Sequence, residues 1–256
     1  MFCSLNNNIN ATDIFRNLNL SHALWAKAAE KLSSGLKINR ASDDPAGLVI
    51  SEQMRSRIAS LNQEISNISG QINKYETASS QALQLRGILT EIRSLAVAAS
   101  NDGFNDPAIQ DAYQTEANRL VETYNFVVEN AAFGEQKLFD GSDGSLATIA
   151  KLGPVDLSDT EAAQSTIESI DEAASRLDAT ISDMGATQRY DLESRMSSLQ
   201  VEAQNLTAAE SQIRDTDYVL EFANLLKNQI LIQSSVSLLA HSFISPQSVL
   251  ALMIER

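Results

Sequence analysis

Between residues 58 and 99, apolar side chains recur at Ile58, Leu61, Ile65, Ile68, Ile72 and Tyr75. After one shortened step at Ala78 they continue at Ala82, Leu85, Leu89, Ile92, Ala96 and Ala99. Steps alternating between three and four residues lay one apolar stripe along an α-helix, and over this length they are the repeat of a coiled coil. The short step beside Tyr75 is a stammer, a local change of winding. Arg57, Gln63, Glu64, Lys74, Glu76, Arg86 and Glu91 fall off the stripe and make a solvated face. Helices of ordinary domains run about 8–20 residues, whereas this pattern holds from Leu48 to about Ser100. Most compact folds are thereby excluded. The stripe predicts one long helix and requires partners long enough to cover it.

The chain downstream supplies such partners. Asn101 to Pro107 (NDGFNDP) reads as a turn, with Asp106 as helix cap and Pro107 in the first helical turn. Ile109, Tyr113, Ala117, Leu120, Tyr124 and Val127 then mark a second helix, able to fold back on the first as an antiparallel hairpin. Phe133 to Asp159 breaks the rhythm. There Gly141, Gly144, Gly153 and Pro154 flank the short apolar pieces Leu138-Phe139 and Leu146 to Leu152, which predicts a turn-rich β-hairpin too short to be a domain. A third long helix is expected from Thr160, capped by Asp159. Its stripe is Ala163, Ile167, Ile170, Ala174, Leu177, Ile181, Met184, Leu192, Leu199, Ala203, Leu206 and Ile213, and Gln188 sits on the core side as a polar contact between helices. The fold class is mainly α: a long antiparallel helical bundle or coiled coil formed by the N- and C-terminal halves, with a short central β-hairpin.

The two ends have a different character. Residues 1 to about 32 form an amphipathic pattern in which Leu5, Ile9 and Ile14 lead into Leu18, Ser21, Trp25, Ala28 and Leu32. Nothing close in sequence can cover that face. At the other end, no Asp, Glu, Lys or Arg occurs between Lys227 and Glu255. An uncharged run of this kind raises the possibility of a membrane span, but Gln233, Ser234, Ser235, Ser237, His241, Ser242, Ser245, Gln247 and Ser248 interrupt it and Pro246 splits it. A helix surrounded by other protein fits the polar content better. The expected organisation is an N-terminal core helix in 1–40, a central helical rod in 41–214 with its hairpin near 133–159, and a C-terminal core helix in 215–256.

Composition removes several functions. The net charge of -14 and the pI near 4.5 oppose binding to nucleic acid or an anionic membrane. Aromatic residues are only 5% and prolines number four, as expected of long helices packed by small side chains. One cysteine, Cys3, and two histidines, His22 and His241, provide no disulfide and no metal-ligand spacing, and no cofactor motif occurs. The stretch MFCSLNNNIN lacks a basic segment followed by an apolar core, which argues against a cleaved secretory signal, so that any export would have to use another route. Adjacent carboxylates at Asp43 and Asp44 could in principle do acid–base work. With no base, metal or anchored pocket beside them they read as capping or subunit-contact groups, and no enzyme is expected.

Between the first two helical patterns lies Leu32 to Ser51, LSSGLKINRASDDPAGLVIS. Gly35 can end a helix in the left-handed conformation, Ser42 or Asp43 can cap the next, and Pro45 suits its first turn. This elbow closely resembles the signature of bacterial flagellins, in which LSSGL-[KR]-IN is followed by DD and AGL-[AV]-I. Asn205 to Ser234, NLTAAESQIRDTDYVLEFANLLKNQILIQS, is similar to the flagellin carboxyl-terminal signature. Pro246 to Leu252, PQSVLAL, resembles the family's ending, Leu95-Ala96-Val97 its ELAV segment, and Phe133 to Gly141 its FNG-x-KLLDG turn. The likeness covers nearly all of residues 5 to 252. Glu210, the Ser242 to Ser245 run and Phe133-Gly134-Glu135 depart from the pattern. Pro45 in SDDP is also similar to the hook-filament junction protein, a flagellin relative.

The resemblance implies a minimal flagellin without the large variable surface domain, a structural subunit that polymerises with itself into the extracellular flagellar filament. It implies terminal helices paired in an inner tube, central helices forming an outer bundle, and export unfolded through the flagellar type III apparatus. It further implies contact with an export chaperone, the filament cap and hook-junction proteins. The residues expected to carry subunit assembly are Leu18, Trp25, Leu32, Gly35, Asn39, Asp43, Asp44, Asp217, Tyr218, Leu225, Leu239, Pro246 and Leu250. The residues alone point the same way, because two apolar ends without local partners on a helical rod make a polymer subunit. A hook-filament junction protein is the alternative, and a soluble coiled-coil module remaining a discrete oligomer is a third reading.

Overall fold

The computed structural model describes residues 8–101, 106–142 and 144–254, with side chains described up to residue 243. Cys3, Leu5 and the tip of the turn expected at Asn101 to Pro107 lie outside these residues. The elements are α1 (Ile9–Ser34), α2 (Pro45–Ala99), α3 (Pro107–Asn130), β1 (Ala132–Phe133), β2 (Gln136–Lys137), α4 (Thr160–Ala186), a π-helical turn (Thr187–Leu192), α5 (Glu193–Arg214) and α6 (Tyr218–Ile254). The chain is mainly helical, as the stripes require, and α2 alone runs 55 residues. It divides into two compact units: residues 1–60 with 203–256, and residues 61–202.

The 61–202 unit is held by an ordinary apolar core. Leu85, Leu89, Ile92, Ala96 and Ala99 of α2 meet Ala117, Val121, Tyr124 and Val128 of α3, and Ala163, Ile170, Ala174, Leu177 and Met184 of α4, all buried. Each fully buried Leu or Ile contributes about 1.5–3 kcal/mol. On the solvent side Arg86 Nε donates to Asp178 at 2.9 Å and Arg93 Nε to Asp171 at 2.6 Å, so numbering rises along α2 as it falls along α4 and the two are antiparallel. Exposed pairs of this sort add little energy; they report register.

The hairpin is smaller than the irregular stretch that announces it. Strands β1 and β2 pair antiparallel over only two residues each, Ala132 with Lys137 and Phe133 with Gln136. After Leu138 the chain turns back on itself, with Asp140 bridged antiparallel to Thr148, and packs on the helices with Leu138, Phe139, Ile149, Val155 and Leu157 buried. Further along, at Leu152, Val155 and Leu157, backbone groups are satisfied by side-chain amides of α3 instead of a strand. Gln114 donates to the Val155 carbonyl at 2.7 Å and accepts from the Leu157 N–H at 2.6 Å. Asn125 donates to the Leu152 carbonyl at 3.0 Å and accepts from the Leu152 N–H at 2.9 Å. An amide that both donates and accepts imitates a neighbouring strand, which meets the demand of buried backbone for partners.

Capping follows the sequence at Asp159, whose carboxylate accepts from the Ala162 N–H at 2.7 Å. Pro107 opens α3 as expected, but the Asp106 side chain makes no capping bond. The cap of α2 is Asp44, not Ser42 or Asp43. Its Oδ1 accepts from the Gly47 N–H at 3.0 Å, because Pro45 occupies the first helical position and so makes the residue before it the cap. Nor does Pro246 split the last helix, since α6 runs through it to Ile254. The third helix, expected to be continuous, is interrupted by the π-helical turn.

Candidate assembly site

The elbow and the two terminal helices all lie in the unit of residues 1–60 and 203–256. Gly35 ends α1 with φ +74°, and its N–H donates to the Lys31 carbonyl at 2.8 Å. That conformation suits glycine, and a Cβ there would also come within 2.8 Å of the Tyr218 hydroxyl. The connection after α1 is stitched to the connection before α6. Leu36 and Asp215 form an antiparallel bridge, the Lys37 N–H donates to the Arg214 carbonyl at 2.7 Å, and the Thr216 N–H donates to the Gly35 carbonyl at 2.9 Å. Asp217 opens α6 by accepting from the Val219 N–H at 2.9 Å and the Leu220 N–H at 3.1 Å.

Charges clamp the stitched corner. Asp43, free of capping, accepts from Lys27 at 2.8 Å and from the N–H groups of Asn39 at 3.2 Å and Arg40 at 3.1 Å. The Lys27 ammonium leads these donors in holding the Asp43 carboxyl down at about 2. Arg214 reaches Glu52 at 2.6 Å and, with Arg55, keeps that carboxyl below its ordinary value. Lys31 faces Glu221 at 3.6 Å, and Arg40 faces Glu30 at 2.9 Å. Asn39 donates to the Leu36 carbonyl at 3.3 Å. Under them Ile38 is buried against Gly47, where a Cβ would lie 2.8 Å from Ile38 Cδ1.

Helices α1 and α6 run antiparallel, as Lys31 with Glu221 at one end and Asn8 with Ser242 at the other require. Their backbones approach within 8 Å. Small residues permit this approach: the face of α1 turned to α6 carries Ala11, Ser21 and Ala28, all buried, beside half-buried Leu18 and Leu32. The matching face of α6 carries buried Asn228 with half-buried Leu225, Ile232, Ser235 and Leu239. Asn8 fastens the far end. Its carbonyl oxygen accepts from the Ala11 N–H at 3.1 Å while its amide donates to the Ser242 carbonyl at 2.9 Å. Proline at 246 has no N–H to offer the carbonyl four residues earlier, which is that of Ser242. Asn8 therefore supplies the donor that the proline removes.

Beside the leucines on the seam, many large apolar side chains of this pair point away from it. On α6, Val219 is 82% exposed, Ile230 64%, Leu220 60% and Tyr218 57%. Phe222, Val236, Leu238 and Phe243 are also exposed, as are Ile9, Phe15, Leu20, Leu24 and Trp25 on α1. Patches of this extent mark an interaction surface. Of the residues singled out in the sequence, Leu18, Leu32, Leu225 and Leu239 fall on the seam. Gly35, Asn39, Asp43, Asp44 and Asp217 form the corner, and Trp25 and Tyr218 face outward. Pro246 and Leu250 are in α6, with side chains outside the described residues. Sequence reading did not single out Ile230, Leu238 or Phe222, although the charge-free run around them was a visible signal. Among the described residues no helix is long and apolar enough to cross a membrane.

Paired terminal helices that leave this much apolar surface exposed define a class: subunits of an open protein polymer, whose surface is completed by further copies. Comparison with known proteins is specific. Residues 5–144 match the bacterial flagellin N-terminal helical region, and residues 167–253 match the bacterial flagellin C-terminal helical region. A flagellin of Halalkalibacterium halodurans is 35% identical over 97% of this chain and 99% of its own length. The flagellar filament 33 kDa core protein of Treponema phagedenis is 32% identical over the same shares, and a flagellin of Bacillus subtilis is 31% identical. The crystal structure of Bacillus cereus flagellin aligns at 18% identity and a TM-score of 0.45, covering 57% of this chain and 94% of that one. The chain belongs to the bacterial flagellin family. It is a structural, non-enzymatic subunit that polymerises into the extracellular flagellar filament.

Proposed function

We propose that the α1–α6 pair is the polymerisation module of this flagellin. The outward apolar faces make the contacts between subunits, and the stitched corner sets the direction in which the module leaves α2 and α5. The observation that carries this reading is the extent of apolar surface the pair leaves exposed, from Ile9 to Trp25 on α1 and from Tyr218 to Phe243 on α6. In this reading residues 1–40 and 215–256 build one layer of the filament and residues 41–214 another. Leu18, Leu32, Leu225 and Leu239 hold the pair together, whereas Trp25, Tyr218, Pro246 and Leu250 contribute to its contacts. Gly35, Asn39, Asp43, Asp44 and Asp217 hold the corner. The exposed face of α6 is also the surface an export chaperone would have to cover before assembly, and the filament cap and hook-junction proteins would meet the same terminal helices.

Seeded assembly followed by electron microscopy tests the reading. Purified protein is heated to depolymerise, cooled and given filament fragments. Ile230→Glu and Leu238→Glu should abolish elongation while circular dichroism and thermal melting of the free subunit stay as in the parent. Normal filaments from both variants would refute the assignment.

A further inference from the structure

We propose that the stammer in α2 and the π-helical turn between α4 and α5 are one device, a matched register joint marking where a three-helix bundle gives way to a two-helix coiled coil. The two irregularities have opposite sign. On α2 the stripe needs six residues from Ile72 to Ala78 where the repeat takes seven. On the facing helix Met184, Gln188, Leu192 and Met196 follow each other in steps of four before the alternation resumes at Leu199, one residue more than the repeat would use. A π-helical turn is how a helix absorbs one surplus residue, and here it occupies Thr187–Leu192. One helix is overwound and its partner underwound.

They also share one level. Gln188 Nε2 approaches Glu76 Oε1 at 3.5 Å. Burial first, and then the facing carboxylates of Asp183 and Asp191, raise the Tyr75 hydroxyl above its ordinary value. Lys74 donates to Gln136 Oε1 and to the Gly144 carbonyl, tying the turn after the hairpin to the same place. The apolar core that joins α2, α3 and α4 stops there too, at Ala78 on α2, Ala131 just beyond α3 and Met184 on α4. Beyond it α2 continues with buried Leu61 and Ile68, and the π turn and α5 with buried Leu192. With α3 present, the α2 stripe must point between two neighbours; past the end of α3 it must turn toward one. A helix that loses one residue from its repeat rotates its stripe by roughly 100°, and the partner helix follows by taking one residue more.

A double-mutant cycle tests the pairing. The first change inserts one alanine between the exposed residue Glu76 and Thr77, which restores seven residues on α2. The second deletes Tyr190, which is 76% exposed, and restores the regular repeat on the other helix. Each change alone should lower the Tm by about 5 °C or more. The double variant should recover part of that loss, since the two repeats are again in step with each other although the stripe no longer turns where α3 ends. A double loss equal to the sum of the single losses would show two unrelated irregularities and overturn the joint. Hydrogen exchange on the unaltered protein decides independently of how the variants fold. Amides at 75–79 and 187–193 should exchange at matching rates, faster than their flanks. Protection of 75–79 equal to that of the flanking α2 amides would overturn it as well.

Discussion

The unit of residues 61–202 and the unit of residues 1–60 with 203–256 use the same helical repeat to opposite ends. In the first, the stripe is filled with Leu and Ile, and the off-stripe positions carry Arg86, Arg93, Asp171 and Asp178. It has the inside and outside of a finished domain. In the second, the seam between α1 and α6 fully buries only Ala11, Ser21, Ala28 and Asn228, with Leu18, Leu32, Leu225, Ile232 and Leu239 half-buried beside them, while Ile230, Leu220 and Phe222 are left in solvent. Apolar surface removed from water stabilises at about 25 cal/mol per Å², so the first unit has realised that stabilisation within one chain and the second has reserved it for contacts with other chains. A heptad pattern thus reveals that a face will be buried; what buries it is a separate question.

Changes in the two units sharpen that contrast, and the largest should come from the finished core. Leu89→Ala, at a fully buried position of α2, should destabilise by about 2–5 kcal/mol, read from denaturant unfolding. A loss below about 1 kcal/mol would mean that the bundle is not closely packed around Leu89. Ala28→Leu forces a large side chain into the close seam and should cost about 1–3 kcal/mol through overpacking. If thermal melting shows it to be neutral or stabilising, the close approach of α1 and α6 is not what fixes their pairing.

Asn8→Ala removes a helix cap and the donor to Ser242 together, and should cost about 1 kcal/mol, seen as faster exchange of the Ala11 and Thr12 amides. Combining it with Pro246→Ala returns a helical donor to the Ser242 carbonyl, so the combined variant should retain only the capping part of the loss. The acid response of the corner comes next. A carboxyl depressed to about 2 in the fold contributes fully above its unfolded value near 4 and loses that contribution as pH falls from about 4 through about 2. Glu52, depressed by Arg214, has the same sign. An NMR titration should place the Asp43 midpoint near 2 and move it upward in Lys27→Met. A midpoint near 4 in the parent would remove Lys27 from the account. Smallest for the free subunit is Ile230→Glu, expected within about 0.5 kcal/mol of the parent. A large loss of subunit stability would mean that Ile230 is covered within the chain, and the contrast between the units would fail.

Much of this was legible in the residues alone. The repeat from Ile58 to Ala99 determined one long helix, the glycine at 35 its predecessor's end, Asp159 a cap, and Gln188 a polar contact with a facing helix. These depend on spacings within a few turns, where side-chain direction follows from helix geometry. The stammer was visible as a missing residue, but its partner was not. A run of three equal steps at Met184 to Met196 becomes a π-helical turn only when the facing helix requires one more residue there.

Tertiary structure decided whatever joins distant parts of the chain. Ser42 or Asp43 looked suited to cap α2, yet Asp44 does so, and the approach of Lys27 across the corner gives Asp43 a separate task. The bridge between Leu36 and Asp215 carries no side-chain signature, because backbone groups make it. Pro246 looked like a break, and the donor that lets α6 continue comes from Asn8 at the opposite end of the chain. The α1 stripe of Leu18, Ser21, Ala28 and Leu32 does meet α6, but Trp25 within the same stripe faces outward. Close packing put Ala11, Ser21 and Ala28 where the two backbones approach, and left Ile230, Leu220 and Phe222 exposed.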